Sequence, residues 1–130
     1  MQNEYMLVVD NSIERQQTVV GILKRLRALQ PGLPEPKVLP TPDEAIAFSS
    51  GHACPVIFAA VPLPGMSSFS MIEQIRKQNN RTNFILLTDQ KEYIIQALTM
   101  KLRLSGSIMG MPDMEMIQNE LDNLWFPLSS

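Results

Sequence analysis

The sequence predicts a doubly wound α/β fold built on a five-stranded parallel sheet, with strand order 2-1-3-4-5 and five helices. Three observations predict it. Five short apolar runs alternate with five segments of helical periodicity. Two of those runs, Val56 to Ala60 and Phe84 to Leu87, are continuously apolar, as central strands covered on both faces are. Capping patterns then mark where each helix follows its strand.

Taken in order, the first strand spans Tyr5 to Val9. Asn11 with Glu14 is the predicted cap of the first helix, whose Val19, Val20, Leu23 and Leu26 recur at helical spacing. Leu33-Pro34-Glu35-Pro36 reads as a stiff loop before a second strand from Lys37 to Leu39. Thr41-Pro42-Asp43-Glu44 combines an N-cap Thr, Pro in the first turn and Glu three residues after the cap, and Gly51 ends the helix it opens. The third strand, Val56 to Ala60, runs into the turn Leu63-Pro64-Gly65-Met66. A third helix follows with Phe69, Ile72 and Ile75 on one stripe. After the strand Phe84 to Thr88, Asp89 with Glu92 opens a fourth helix predicted to face Ile94, Ile95 and Leu98 inward. The last strand is Ser107 to Met109. The fifth helix follows Pro112, uses Ile117, Leu121, Leu124 and Trp125, and stops at Pro127. Residues 1–126 form one predicted domain, and 127–130 a tail or the start of a linker.

The bulk numbers narrow the function classes. At 130 residues the chain fits one core. A net charge of −2 gives no whole-molecule case for nucleic acid or an anionic membrane, and Lys24, Arg25 and Arg27 read as a solvated helix face. Cys54 is the only cysteine, so no intrachain disulfide forms. No basic leader precedes an apolar stretch, and no apolar run nears the ~20 residues of a bilayer span. A soluble cytoplasmic location is the expectation.

A fold of this order, flavodoxin-like in its topology, places sites outside the carboxyl ends of its strands. Asp10, Asn11, Ala60, Val61, Thr88, Asp89 and the loop near Met111 fall there. Across nearly the whole chain, this arrangement resembles the response-regulator receiver domains of two-component signalling. In that family an acidic pair follows the first strand, a phosphorylated Asp ends the third, Ser or Thr ends the fourth, and Lys-Pro follows the fifth. Val8-Val9-Asp10-Asn11 matches the acidic pair with its second acid replaced by an amide. Ala60 stands at the phosphoacceptor position, five residues before the turn glycine Gly65. Leu86-Leu87-Thr88 keeps the switch threonine. Met111 of Met111-Pro112 stands at the lysine position, and Ile108 where an aromatic switch residue is common. Glu92 to Pro112 looks most like receivers attached to LytTR-type DNA-binding domains.

The chemistry explains why these losses belong together. Phosphoryl transfer to a carboxylate needs a magnesium ion held by carboxylates, a cation on the phosphate oxygens, and the acceptor itself. Asn11, Met111 and Ala60 remove one part of each. The resemblance therefore implies a degenerate pseudo-receiver without enzymatic activity, cofactor or metal. The apolar Ala60 and Met111 are expected to close the former charged pocket by packing, Met111 lying inside. Asp10 has a second reading as a helix cap or acceptor at a strand end, Thr88 as a β-branched strand residue, and Asp89 with Glu92 as a cap. His52 and Cys54 supply two ligands where zinc wants four. Ser67, Ser68 and Ser70 have no partnered His to activate them.

Five of the nine methionines, Met100, Met109, Met111, Met114 and Met116, fall between residues 100 and 116. In receiver domains this region is a common dimerisation and docking face, and Met is enriched at adaptable surfaces. The competing reading is core filling. The function that follows is a non-phosphorylatable signalling domain acting through a protein partner or homodimer. Transcription regulation would come through a DNA-binding effector domain outside this chain, since the chain has no basic recognition helix of its own. Two alternatives stand beside it. One is a small-molecule-binding flavodoxin-like domain or enzyme, although Val9-Asp10-Asn11-Ser12-Ile13 is no glycine-rich phosphate cradle. The other is a receiver phosphorylated at a surrogate aspartate, Asp10 or Asp89.

Overall fold

The computed structural model describes residues 3–128. Strands and helices alternate: β1 (Glu4–Val9), α1 (Ile13–Leu29), β2 (Glu35–Leu39), α2 (Pro42–Gly51), β3 (Ala53–Ala60), α3 (Ser68–Gln78), β4 (Asn83–Thr88), α4 (Lys91–Thr99), β5 (Gly106–Met109) and α5 (Met114–Asp122). All strand pairs are parallel, in the order β2-β1-β3-β4-β5. The predicted flavodoxin-like topology is therefore the one observed. Its cause is legible in the strands. Val56 to Ala60 and all of β4 are buried, as strands with helices on both faces must be. The edge strands β2 and β5 are only partly covered.

Every strand begins earlier than the sequence indicates, β1, β4 and β5 by one residue, β2 and β3 by two and three. β2 begins at Glu35 and takes in Pro36, which pairs with Met6. Proline is tolerated there because β2 is an edge strand and its missing N–H faces away from the ladder. β3 begins at Ala53, and the register with β1 shifts between Glu4 and Met6, where Pro55 is accommodated as an irregularity.

Four helix details differ from expectation. Ser12, not Asn11, caps α1, its Oγ accepting from Arg15 N at 3.3 Å. The predicted Asp89–Glu92 cap of α4 does not form. Gln90 is the N-cap residue and makes no side-chain cap bond. The inward face of α4 is also rotated: Ala97 is buried with Tyr93 and Ile94 half-buried, while Ile95 and Leu98 are 56% and 70% exposed. Tyr93, Ile94 and Ala97 satisfy helical spacing as well as the predicted set does, so periodicity alone could not choose. Finally, α5 ends at Asp122, before Leu124 and Trp125. Asn123 turns the chain, its Nδ2 donating to Asn119 O at 2.7 Å, and Trp125 is left largely exposed. The Thr41 cap and the Gly51 end of α2 are as the sequence predicts.

The segment after α5 is held by Asn83. This buried side chain donates to Pro55 O and Phe126 O and accepts from Ser105 Oγ and Phe126 N, all at 2.8–3.0 Å. One amide thus satisfies backbone from two separate stretches and the Ser105 hydroxyl from a third, at the amino-end edge of the sheet.

Candidate functional site at the carboxyl ends of the strands

Asp10 follows the last residue of β1 and is fully buried. An ionised carboxylate there must be compensated. The compensation comes from the first turn of α1. Arg15 forms an ion pair with it through Nε to Oδ2, and Arg15 Nη2 donates to Oδ1 at 3.0 Å. Ser12 N also donates to Oδ1, at 2.9 Å. Gln16 Nε2 donates to the Asp10 carbonyl oxygen. The hydrogen bond to Asp10 pushes the Arg15 pKa above its ordinary value, and Asp89 adds a weaker pull in the same direction.

Ala60 ends β3, fully buried, with Leu87 of β4 as its register partner. Its carbonyl oxygen accepts from Ser68 Oγ at 2.5 Å, which ties the start of α3 to the end of β3. The connecting turn passes through Gly65 at φ +81°, the left-handed region open to glycine. Thr88 is buried, and its hydroxyl oxygen accepts from Gln90 N at 3.1 Å, an ordinary local turn bond. Ile108 is buried on β5.

Met111 departs from expectation. It is 47% exposed and does not fill a pocket left by a missing lysine. The charged cluster is closed instead by Arg15, which satisfies Asp10 from within α1. Asn11 is exposed. The structure therefore gathers Asp10, Ala60 and Thr88 at one edge and leaves Asn11 and Met111 on the surface. Sequence reasoning missed Arg15, Gln16 and Ser68. The signal for Arg15 was a basic residue in the first turn of a helix, where the macrodipole disfavours a cation unless an acid holds it.

His52 and Cys54 do not converge. The His52 ring stacks on Phe48 with centroids 3.9 Å apart, and Cys54 is buried, its thiol pKa pushed up to about 12 by burial. Among the described residues no three His, Cys, Asp or Glu side chains group as metal ligands. Among the described residues no helix is long and apolar enough to cross a membrane.

No family model matches the sequence, and no curated protein matches it. Solved structures do match. The chemotaxis protein CheY4 of Vibrio cholerae superposes with a TM-score of 0.77 at 21% identity, over 94% of this chain and 98% of that one. The fold is that of the response-regulator receiver domains. A CheY-like receiver domain protein of Methanospirillum hungatei gives 0.78 at 15% identity, over 94% and 92% of the two chains. The receiver domain of a Pseudomonas aeruginosa sensor histidine kinase gives 0.74 at 16%, over 92% and 93%. That domain has a magnesium ion coordinated in its active-site cleft. The corresponding edge of this receiver fold does not fit such an ion. Magnesium wants several oxygen ligands in near-octahedral array. Here the buried carboxylate already has a guanidinium and a backbone N–H on it, and Ala60 offers only a methyl group.

Proposed function

We propose that this chain is a pseudo-receiver: a signalling domain with receiver architecture that takes no phosphoryl group and acts through protein contacts. The observation that carries this is the Asp10–Arg15 pair beside Ala60. A fixed internal cation occupies the carboxylate that magnesium would need, and the acceptor position has no nucleophile. Thr88 is the retained switch position and Ile108 the aromatic-switch position. Both are buried.

The output surface in this proposal is the face of α4, β5 and α5. Ile95, Leu98, Met109, Met111 and Met116 are each at least 40% exposed. Exposed large apolar side chains on consecutive elements are a docking signal. Met100 extends the set, whereas Met114 is half-buried against the core and contributes packing more than surface. A second copy of the chain is the favoured occupant, and a DNA-binding effector domain outside this chain would carry transcription regulation. The proposal includes a cytoplasmic, non-catalytic role in two-component signalling.

Light scattering behind size exclusion tests it, over a concentration series with and without acetyl phosphate and magnesium. The expected result is a concentration-dependent dimer that ignores the phosphodonor. A dimerisation constant that shifts with the phosphodonor would contradict the proposal.

A further inference from the structure

A second cluster lies at the opposite end of the molecule. The helix α3 returns from the carboxyl end of β3 to the amino end of β4, and α4 returns likewise to β5. Their C-terminal turns are therefore neighbours at the amino-end edge of the sheet. Between them lies an open surface groove of about 270 Å³. Buried Ile72 and Leu102 form its floor, with Met100 at the margin. Four cationic side chains line it, Arg76, Lys77, Lys101 and Arg103, against one carboxylate, Glu73.

That excess of positive charge is unusual for a chain whose net charge is −2. Cations near helix C-termini ordinarily compensate the unpaired carbonyls there. At this site Arg76 instead ties down loops beyond the helix ends, donating to the carbonyl oxygens of Asn80, Thr82 and Arg103 at 2.9–3.3 Å. The α4 terminus closes by backbone alone: Met100 N, Lys101 N and Leu102 N reach Gln96 O, Leu98 O and Ala97 O. Lys77, Lys101 and Arg103 are thus not needed for capping. Among the described residues the sole ion pair is Arg15–Asp10, so none of the three has a carboxylate within bonding distance. Lys101 and Arg103 also adopt left-handed backbone, φ 57° and 59°, on either side of the inward-facing Leu102. Non-glycine residues there cost of order 1 kcal/mol or more each, a cost usually retained where a side chain is needed in place. Arg76 Nε is buried without a hydrogen-bond partner. Burial, with Arg103 close by, pushes the Arg76 pKa below its ordinary value, which an added anion would reverse.

We propose that this groove binds an organic phosphate of mononucleotide size, its phosphate on Lys101, Arg103 and Lys77 and its apolar body on Met100 and the exposed margin of Leu102. Cations beside an exposed apolar side chain match an anion that carries a ring. The inference does not rest on the Asp10 edge, with which it shares no residue, although Met100 also belongs to the proposed output face.

The test is calorimetric titration of the full chain with AMP, GMP, their cyclic forms and inorganic phosphate at two salt concentrations. The control for charge is the double variant Lys101→Gly/Arg103→Gly, which removes both cations while glycine relieves the left-handed backbone. At least one mononucleotide should bind, more tightly than inorganic phosphate, with affinity falling as salt rises. The double variant should fold at least as stably as the wild type and bind about tenfold or more weakly. Four results would overturn the proposal: no heat with any mononucleotide at millimolar concentration, equal affinity in the variant, inorganic phosphate binding as well as the nucleotides, or a variant that loses stability with its affinity intact. The last would make the cations mere compensation for the helix ends.

Discussion

Arg15 grips Asp10 with two guanidinium nitrogens, Nε on Oδ2 and Nη2 on Oδ1, the latter at 3.0 Å. The carboxylate is fully buried, and the arginine side chain is 14% exposed. The pair is therefore asymmetric: Arg15 can turn to water and Asp10 cannot. Arg15→Ala should cost about 2–4 kcal/mol, because it strands a buried charge. Asp10→Asn should cost less, since the amide oxygen can still accept from Ser12 N. Urea denaturation of both variants checks the order.

Restoring the acceptor alone should not restore the chemistry. Ala60→Asp would place a carboxylate at a fully buried position, where Arg15 is already committed to Asp10 and no lysine is supplied by Met111. The variant should lose about 2 kcal/mol or more of stability and take no phosphoryl group from acetyl phosphate. Mass measurement of the intact variant together with its denaturation midpoint reads both effects.

The exposed face of α4 should matter to association and not to folding. Leu98 is 70% exposed and Ile95 56%. Leu98→Glu and Ile95→Glu should shift the proposed dimer toward monomer while changing stability by no more than about 0.5 kcal/mol. Light scattering and thermal melts of the same samples separate the two.

Glu120 carries the clearest pH prediction. Its carboxylate stands over Gly106, close enough that a Cβ there would lie 1.8 Å from Oε2. Burial raises its pKa above the ordinary 4.5. A carboxyl with a raised folded pKa keeps its proton longer in the native state. Stability then falls as pH climbs from 4.5 through the raised value, and stays lower above it. Glu120→Gln should match the wild type near pH 4 and exceed it at neutral pH, as denaturation across that range would read.

Asn83 should prove costly to replace. Its amide makes four hydrogen bonds, two of them to Phe126. Asn83→Leu should destabilise by about 2–4 kcal/mol through the unpaired backbone it leaves. It should also raise proteolysis near residue 126, which limited digestion would detect.

The sheet order was legible because apolar run length and capping are local signals. Thr41 with Glu44 and the apolar run to Ala60 show this directly. The face of α4 was not legible, since Tyr93, Ile94 and Ala97 compete with Ile94, Ile95 and Leu98 at the same period, and only packing decides. The end of α5 was missed because Asn123 turns the chain and the segment beyond it is held by Asn83, 43 residues from Phe126 in sequence. At the site, Asp10 and Ala60 stood where the strand ends predicted. The agent that closes the edge did not, because Met111 is exposed and Arg15 does its work. A side chain reaching back from a helix to a strand end leaves no periodic trace.

The central claim is that this receiver fold accepts no phosphoryl group. The most direct measurement is the intact mass of the wild-type chain after incubation with acetyl phosphate and magnesium, beside a receiver domain that retains its aspartate as a positive control. The account predicts an unchanged mass while the control is labelled. One acid-labile phosphoryl group per chain, mapped to Asp10 or Asp89, would contradict it.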